Sequence, residues 1–324
     1  MRPILFRIPG LDLPIYSYGV MLGLSLILGW YLVLGLAERD GLSREKMGNL
    51  YVWTAVWSVI GSRILFVITN LDRFDNPIDI IRVDSGGLVA YGGFLGGFFS
   101  SLIYCRMKKI SLLMWADCGT VALGSGLGLT RIGCFLYGCD YGMRTTSSLG
   151  ISFPKGSPAW QDQGPGVPGW TELASAPVHP TQLYESLFGF LLLGIMLLTR
   201  TKALRRFSGQ TFFTFVIVYG IGRSLLEVVR DDPQRGGFAG LSTSQLIGVS
   251  TAVIGLAAYL YFWQRSRKDP EGAQLWKREL AKVQAASGAR SGGGSGGGGG
   301  SDGDGDGAES GRPRHKRARK AGSR

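Results

Sequence analysis

Long apolar blocks alternate with short charged connectors along most of this chain. Seven blocks stand out: Tyr18–Leu36, Leu50–Thr69, Leu88–Arg106, Leu112–Phe135, Leu183–Leu198, Gly209–Val228 and Leu241–Trp263. A helix needs about 20 predominantly apolar residues to cross a bilayer, and each block approaches that length. Buried helices of a large soluble core imitate one or two such runs, but not seven in succession separated by charge. The pattern predicts an all-α, polytopic integral membrane protein with about seven transmembrane helices. The first block is longer than a signal-peptide core and no A-x-A cleavage site follows it, so it is expected to remain as a span.

Lysine and arginine in the short connectors set the orientation. Basic residues follow the first span (Arg39, Arg44, Lys46), the third (Arg106, Lys108, Lys109), the fifth (Arg200, Lys202, Arg205, Arg206) and the seventh (Arg265, Arg267, Lys268). The connector after span two is acidic through Asp72, Asp75, Asp79 and Asp84, and Asp231 and Asp232 follow span six. The alternation places the C-terminus in the cytoplasm and the N-terminus outside.

Composition changes this picture only at the end of the chain. Of 324 residues 45% are hydrophobic and 18% charged, with a net charge of +12. From Gln264 onward there are fourteen Lys/Arg against seven Asp/Glu, so +7 of that charge lies beyond span seven. The run "RPRHKRARK" has the charge to touch nucleic acid or anionic lipid. It follows "GGGSGGGGGSDGDGDG", however, and the composition favours a disordered, solvated segment with no nucleic-acid partner. Residues 1–268 are read as one membrane domain and residues 269–324 as a cytoplasmic tail.

Four cysteines complete the inventory. Cys105 and Cys118 lie inside apolar spans, as small buried hydrophobes do. Cys134 and Cys139 close span four; a spacing of five with glycines between permits a turn there. With no CxxC and no neighbouring His, no metal site is expected. A disulfide facing an oxidising compartment is the favoured pairing over a metal.

Ionisable residues at membrane depth are costly and mark candidate sites. Arg63 interrupts span two, Asp117 and Arg131 lie in span four, and Arg223 and Glu227 lie in span six. Asp117 and Arg63 are candidates for a structural pair. Arg223 and Glu227, four residues apart, share a helix face. Glu227 neutralises only one of the two outer arginines, so Arg131 is expected to be left without an acid and to seek a phosphate, which its planar fork holds with two hydrogen bonds. "SGGLVAYGGFLGG", Ser85 to Gly97, opens span three with glycines around Tyr91. Small residues let membrane helices approach closely, the reading that suits Gly96 and Gly97, whereas Gly92 and Gly93 at the entry of the span are read as leaving room for a bound lipid and exposing backbone N–H groups at the helix start.

These residues resemble a known family, the phosphatidylglycerol–prolipoprotein diacylglyceryl transferases of bacterial inner membranes, over about Tyr18 to Trp263. The family signature G-R-x-G-N-F-x-N-x-E-x-x-G aligns with "TRIGCFLYGCDYG", matching Arg131, Gly133, Phe135 and Gly142. "YSYGVMLG" resembles the family's first-span stretch and makes Tyr18 its tyrosine. "HPTQLYE", His179 to Glu185, matches a family block, and "YGIGRSLLEVVRDD" carries over Tyr219, Arg223, Glu227 and Arg230. The chain departs from the pattern at Tyr91, where the family carries His. It departs again at Cys134 and Tyr137 in place of Asn, and at Cys139 in place of Glu, with Asp140 one position along as a substitute.

The resemblance implies transfer of the diacylglyceryl group of phosphatidylglycerol to the lipobox cysteine thiol of prolipoprotein signal peptides. The products are a thioether and glycerol 1-phosphate, and the reaction is the first step of bacterial lipoprotein maturation. It implies no cofactor, an inner-membrane location among membrane lipids, a periplasmic N-terminus and a site toward the periplasmic side. Arg131 and Arg223 become candidates to stabilise the leaving phosphate. Tyr18 and Tyr219 are candidate donors to phosphate or glycerol oxygens, Gly92 and Gly142 line the lipid site, and Glu227 orients Arg223. Tyr91 is read as a donor to phosphate or ester oxygens, with an interface-anchoring role as the alternative. His179 is the sole imidazole within reach, since His315 lies in the tail. The long stretch between spans four and five is expected to be mobile and to fold over the outer opening. Two other classes stay open at this point: a transporter or lipid flippase, against which no inverted repeat is seen, and a noncatalytic scaffold.

Overall fold

The computed structural model describes residues 3–10, 13–74, 76, 80, 87–230, 237–238 and 241–292. Asp75, Asp79, Asp84, Asp231 and Asp232 of the acidic connectors, and the glycine-rich and basic tail with His315, lie outside the described residues. The chain divides into two units, Met1–Gln284 and Ala285–Arg324; of the second, residues 285–292 are helical.

Every apolar block becomes a helix. A short antiparallel hairpin, β1 (Ile4–Ile8) and β2 (Leu13–Tyr16), leads into α1 (Ser17–Arg39). Helix α2 (Arg44–Thr69) starts where Ser43 accepts from the Lys46 amide, satisfying one of the first-turn donors. α3 (Ala90–Lys108) and α4 (Leu112–Tyr137) follow. A short α5 (Pro158–Gln163) lies in the long connector, and α6 (Thr181–Thr199) and α7 (Gln210–Leu226) come next. A second hairpin, β3 (Gly237–Phe238) with β4 (Leu241–Ser242), feeds α8 (Thr243–Lys268), whose start is closed by a reciprocal capping box of Ser242 and Gln245. α9 (Pro270–Ala273) and α10 (Leu275–Gly292) end the described chain.

Among the described residues six helices are long and apolar enough to span a membrane. The protein is an all-α, polytopic membrane protein. The expected third span is the exception: it is present as the 19-residue α3 but falls short of the others in apolar character. Its four glycines and paired serines dilute its hydropathy and instead let it press against α2. A Cβ added at Gly92 would strike the Gly61 carbonyl and sit 2.6 Å from Leu65 Cβ. Gly92 is therefore a close-packing residue of the α2–α3 crossing, the membrane use of small side chains. Other helix contacts run α1 on α4, α4 on α6 and α7 on α8.

The expected pairing of Arg63 with Asp117 does not form. Arg63 and Asp117 make no lock, because they sit at opposite ends of the bundle. Arg63 donates to the Ile80 and Gly87 carbonyls at 2.8 and 3.0 Å, beside the Phe66 and Phe74 rings. Asp117, fully buried, accepts from the Gly209 and Phe212 amides at 2.8 and 3.1 Å and so caps α7 from another helix. Arg205 approaches the same carboxylate at 3.5 Å and pairs with Asp40 at 2.6 Å, as Arg200 does at 2.7 Å. The Arg205 guanidinium stacks 3.9 Å from the Trp276 ring, which ties α10 to this end.

The long connector that was expected to be mobile forms a small built lobe. Phe153, Ala159 and Val178 are fully buried in it, with Phe135 and Tyr141 packed alongside. Val178 pairs antiparallel with both Arg144 and Ile151, and Trp160 stacks on Trp170 at 5.4 Å.

Candidate functional site

Helix α4 ends because Gly138 takes the left-handed conformation (φ +91), with its amide bonded back to the Cys134 carbonyl at 2.8 Å. Asp140 continues the turn with φ +57, a conformation Asp tolerates better than most residues. The turn throws Asp140 back toward its own helix, where Oδ2 meets Arg131 Nη1 at 2.7 Å. The Thr181 hydroxyl fixes the Asp140 carbonyl at 2.8 Å, and the Gln182 amide fixes that of Cys139 at 2.7 Å.

Arg131 is not left without an acid. Its Nε contacts Glu185, one turn into α6. Arg230, just beyond α7, meets the same two acids: Glu185 Oε1 and Asp140 Oδ1, each at 2.9 Å. Two arginines and two carboxylates thus alternate in a closed ring assembled from three segments. Burial raises the Asp140 carboxyl, but Arg131 and Arg230 outweigh it and hold it below the usual carboxylate range. Burial likewise opposes the charge on Arg230, and Glu185 with Asp140 overcomes it.

A second pair stands beside the ring. Arg223 Nη1 donates to Glu227 Oε2 at 2.5 Å, and Ser242 donates to the other carboxylate oxygen at 3.1 Å. Tyr219 lies within electrostatic range of Arg223, Glu185, Arg131 and Tyr91, which brings both arginines and two of the expected tyrosines to one place. Its ring stacks on Phe215 at 5.3 Å. Tyr18 lies within electrostatic range of Arg131, Cys134, Cys139 and Asp140. Its backbone is close to Gly133, where an added Cβ would come within 3.1 Å of Tyr18 Cα. Tyr91 is half exposed at the start of α3. Gly142 is needed for close approach: its backbone forms an isolated antiparallel bridge with Arg230, and an added Cβ would lie 2.5 Å from the Val229 carbonyl.

Three arginines face three acids here, so the site is neutral, but the donors are not exhausted. Arg131 engages its acids through Nε and Nη1, and Arg223 engages Glu227 through Nη1. Nη2 of each has no protein partner among the described residues. In Arg131 the two acids take one donor from each edge of the fork and leave Nη2 between them, whereas in Arg223 the acid takes Nη1 and leaves the Nε–Nη2 edge to face an anion. Cys134 and Cys139 are free thiols; the turn at Gly138 brings them near one another without joining them in the disulfide that the sequence favoured over a metal. Glu185 and Arg230 complete the ring although neither was singled out as a site residue; both stand inside the sequence blocks already noticed.

A family model described as prolipoprotein diacylglyceryl transferase matches residues 3–261. The chain belongs to this transferase family. A phosphatidylglycerol–prolipoprotein diacylglyceryl transferase of Clostridium tetani is 35% identical over 80% of the chain and 97% of its own length. A second such protein, numbered 2 in Clostridium perfringens, is also 35% identical, over 83% of the chain and 98% of its own length. The protein of that name in Rickettsia conorii is 30% identical over 79% of the chain and 94% of its own length. Prolipoprotein diacylglyceryl transferases are thus matched across the membrane bundle and the connector lobe.

Proposed function

We propose that the protein transfers the diacylglyceryl group of phosphatidylglycerol to the lipobox cysteine thiol of a prolipoprotein. This is the first step of lipoprotein maturation. The observation that carries the reading is the pair of arginines, each braced by acids yet keeping Nη2 free of them, in a member of this family. The thiol sulfur attacks the glyceryl carbon, the C–S bond forms, and the C–O bond to phosphate breaks with its electron pair going to oxygen. The products are the thioether and glycerol 1-phosphate. Arg131 and Arg223 hold the phosphate through their remaining N–H groups, where preorganised charge away from bulk water is strong. Glu227 orients Arg223. The Tyr18, Tyr219 and Tyr91 hydroxyls donate to phosphate, glycerol or ester oxygens, and Gly142 lets the lobe close on the backbone that bears Arg230. The thiol proton leaves to water, to His179 or to a phosphate oxygen.

The catalytic domain is residues 1–268, in the bacterial inner membrane with the site toward the periplasm, and the tail contributes nothing to chemistry. The experiment is direct: purified protein, phosphatidylglycerol and a lipobox peptide should give a peptide heavier by one diacylglyceryl unit. A peptide of unchanged mass after prolonged incubation refutes the reading.

A further inference from the structure

Two thiols that the transfer chemistry does not use stand beside Asp140, a carboxylate of the arginine–acid ring. Cys134 is on the last turn of α4, and Cys139 and Asp140 follow the left-handed turn at Gly138. The ligand atoms of all three lie within 4.8 Å of one another, and Cys134 Sγ is 3.5 Å from Asp140 Oδ2. We propose that Cys134, Cys139 and Asp140 form a binding site for a thiophilic divalent cation of the zinc class.

Tetrahedral zinc holds sulfur at about 2.3 Å and carboxylate oxygen at about 2.0–2.2 Å, so its ligand atoms stand about 3.5–3.8 Å apart. The trio needs a contraction of about 1 Å at most to reach that spacing. Two sulfur ligands exclude magnesium and calcium, which take oxygen shells. Three protein ligands leave a fourth position for water. Gln182 is fully buried, donates its amide to the Cys139 carbonyl at 2.7 Å, and has Oε1 without a partner; it is an orphan acceptor next to the dithiol.

Charge also balances. The cation displaces two thiol protons to solvent, and two thiolates with one dication leave the neutral arginine–acid constellation neutral. Arg131 Nη1 stands 2.7 Å from Asp140 Oδ2 and 3.9 Å from Cys134 Sγ, in the place the cation would take. Occupancy therefore detaches Arg131 from Asp140 and slows transfer; this last step rests on the proposed transferase activity, while the binding does not.

The test uses the full-length reduced protein in detergent, titrated with Co2+. A thiolate-to-cobalt charge-transfer band with tetrahedral visible absorption is expected, and Zn2+ should displace it. The band should vanish in Cys134→Ser/Cys139→Ser and persist in Cys105→Ala/Cys118→Ala. Because the double variant risks misfolding, the unaltered protein supplies a second measurement: Zn2+ should slow alkylation of Cys139 at least tenfold, read by peptide mass. No band in the parent, a band surviving loss of both thiols, or unprotected Cys139 overturns the site. Zn2+ should also cut transfer at least tenfold, reversibly with a chelator. A parent that shows the band but never transfers lipid refutes the transferase reading and leaves the cation site standing.

Discussion

Asp140 and Arg230, 90 residues apart in the chain, meet through a 2.9 Å contact between Oδ1 and Nη2. Asp140 gives its other oxygen to Arg131 and so couples the end of α4 to the residue that follows α7. Glu185 does the same from α6, and its side chain is 4% exposed against 6% for that of Arg230. Removing one partner of a buried pair strands the other, at a cost of about 3–5 kcal/mol.

Glu185→Gln should therefore lower the melting temperature in detergent as well as the transfer rate. The double variant with Arg230→Gln should lose less stability than the two single changes added together, as a thermal double-mutant cycle would show. Strict additivity would mean that the pair is not coupled.

Arg131→Ala and Arg223→Ala should each reduce transfer by at least about 10²-fold, the scale of one preorganised oxyanion donor, while the protein still inserts. Arg131→Lys should recover little, because a point charge cannot grip Glu185, Asp140 and a phosphate at once. Wild-type turnover in either alanine variant, measured by the peptide mass assay, removes that arginine from the site.

Tyr91→Phe keeps the ring and removes the hydroxyl, whereas Tyr91→His restores the residue of the family pattern. A clear loss of rate is expected in the first and at least partial activity in the second. Parent-like turnover in Tyr91→Phe would leave Tyr91 as an interface aromatic only.

A chain stopped after Gln284 should insert and catalyse normally, since it keeps the whole first unit. A chain stopped after Lys268 removes Trp276 from Arg205 and takes from Ser208 its backbone partners Ala273 and Leu275. Its melting temperature should fall. Equal stability of the two truncations would show that the Trp276 contact contributes nothing measurable.

The spans were legible because apolar length is a local property of the chain. Helix α3 was the hard case: its glycines lower the hydropathy, and what compensates is the α2 backbone, which no local window contains. Arg131 and Arg223 were legible as intramembrane charges. Their partners were not, since Glu185 and Arg230 reach Arg131 and Asp140 across turns of the fold rather than along a helix face. Asp117 misled for a related reason. Its partners are the amides at the start of α7, and the only hint was that Gly209 offers that helix no side-chain cap.

The neutrality of the arginine–acid constellation bears on how the enzyme lets go. A phosphodiester carries one negative charge, whereas a phosphate monoester carries about −1.5 to −2 at neutral pH. A cluster of uncompensated arginines would bind the more highly charged product more tightly than the lipid and stall after one turnover. With every arginine matched by a carboxylate, the remaining N–H donors orient the phosphate by direction rather than by net attraction. The spent headgroup departs into water without an electrostatic trap behind it.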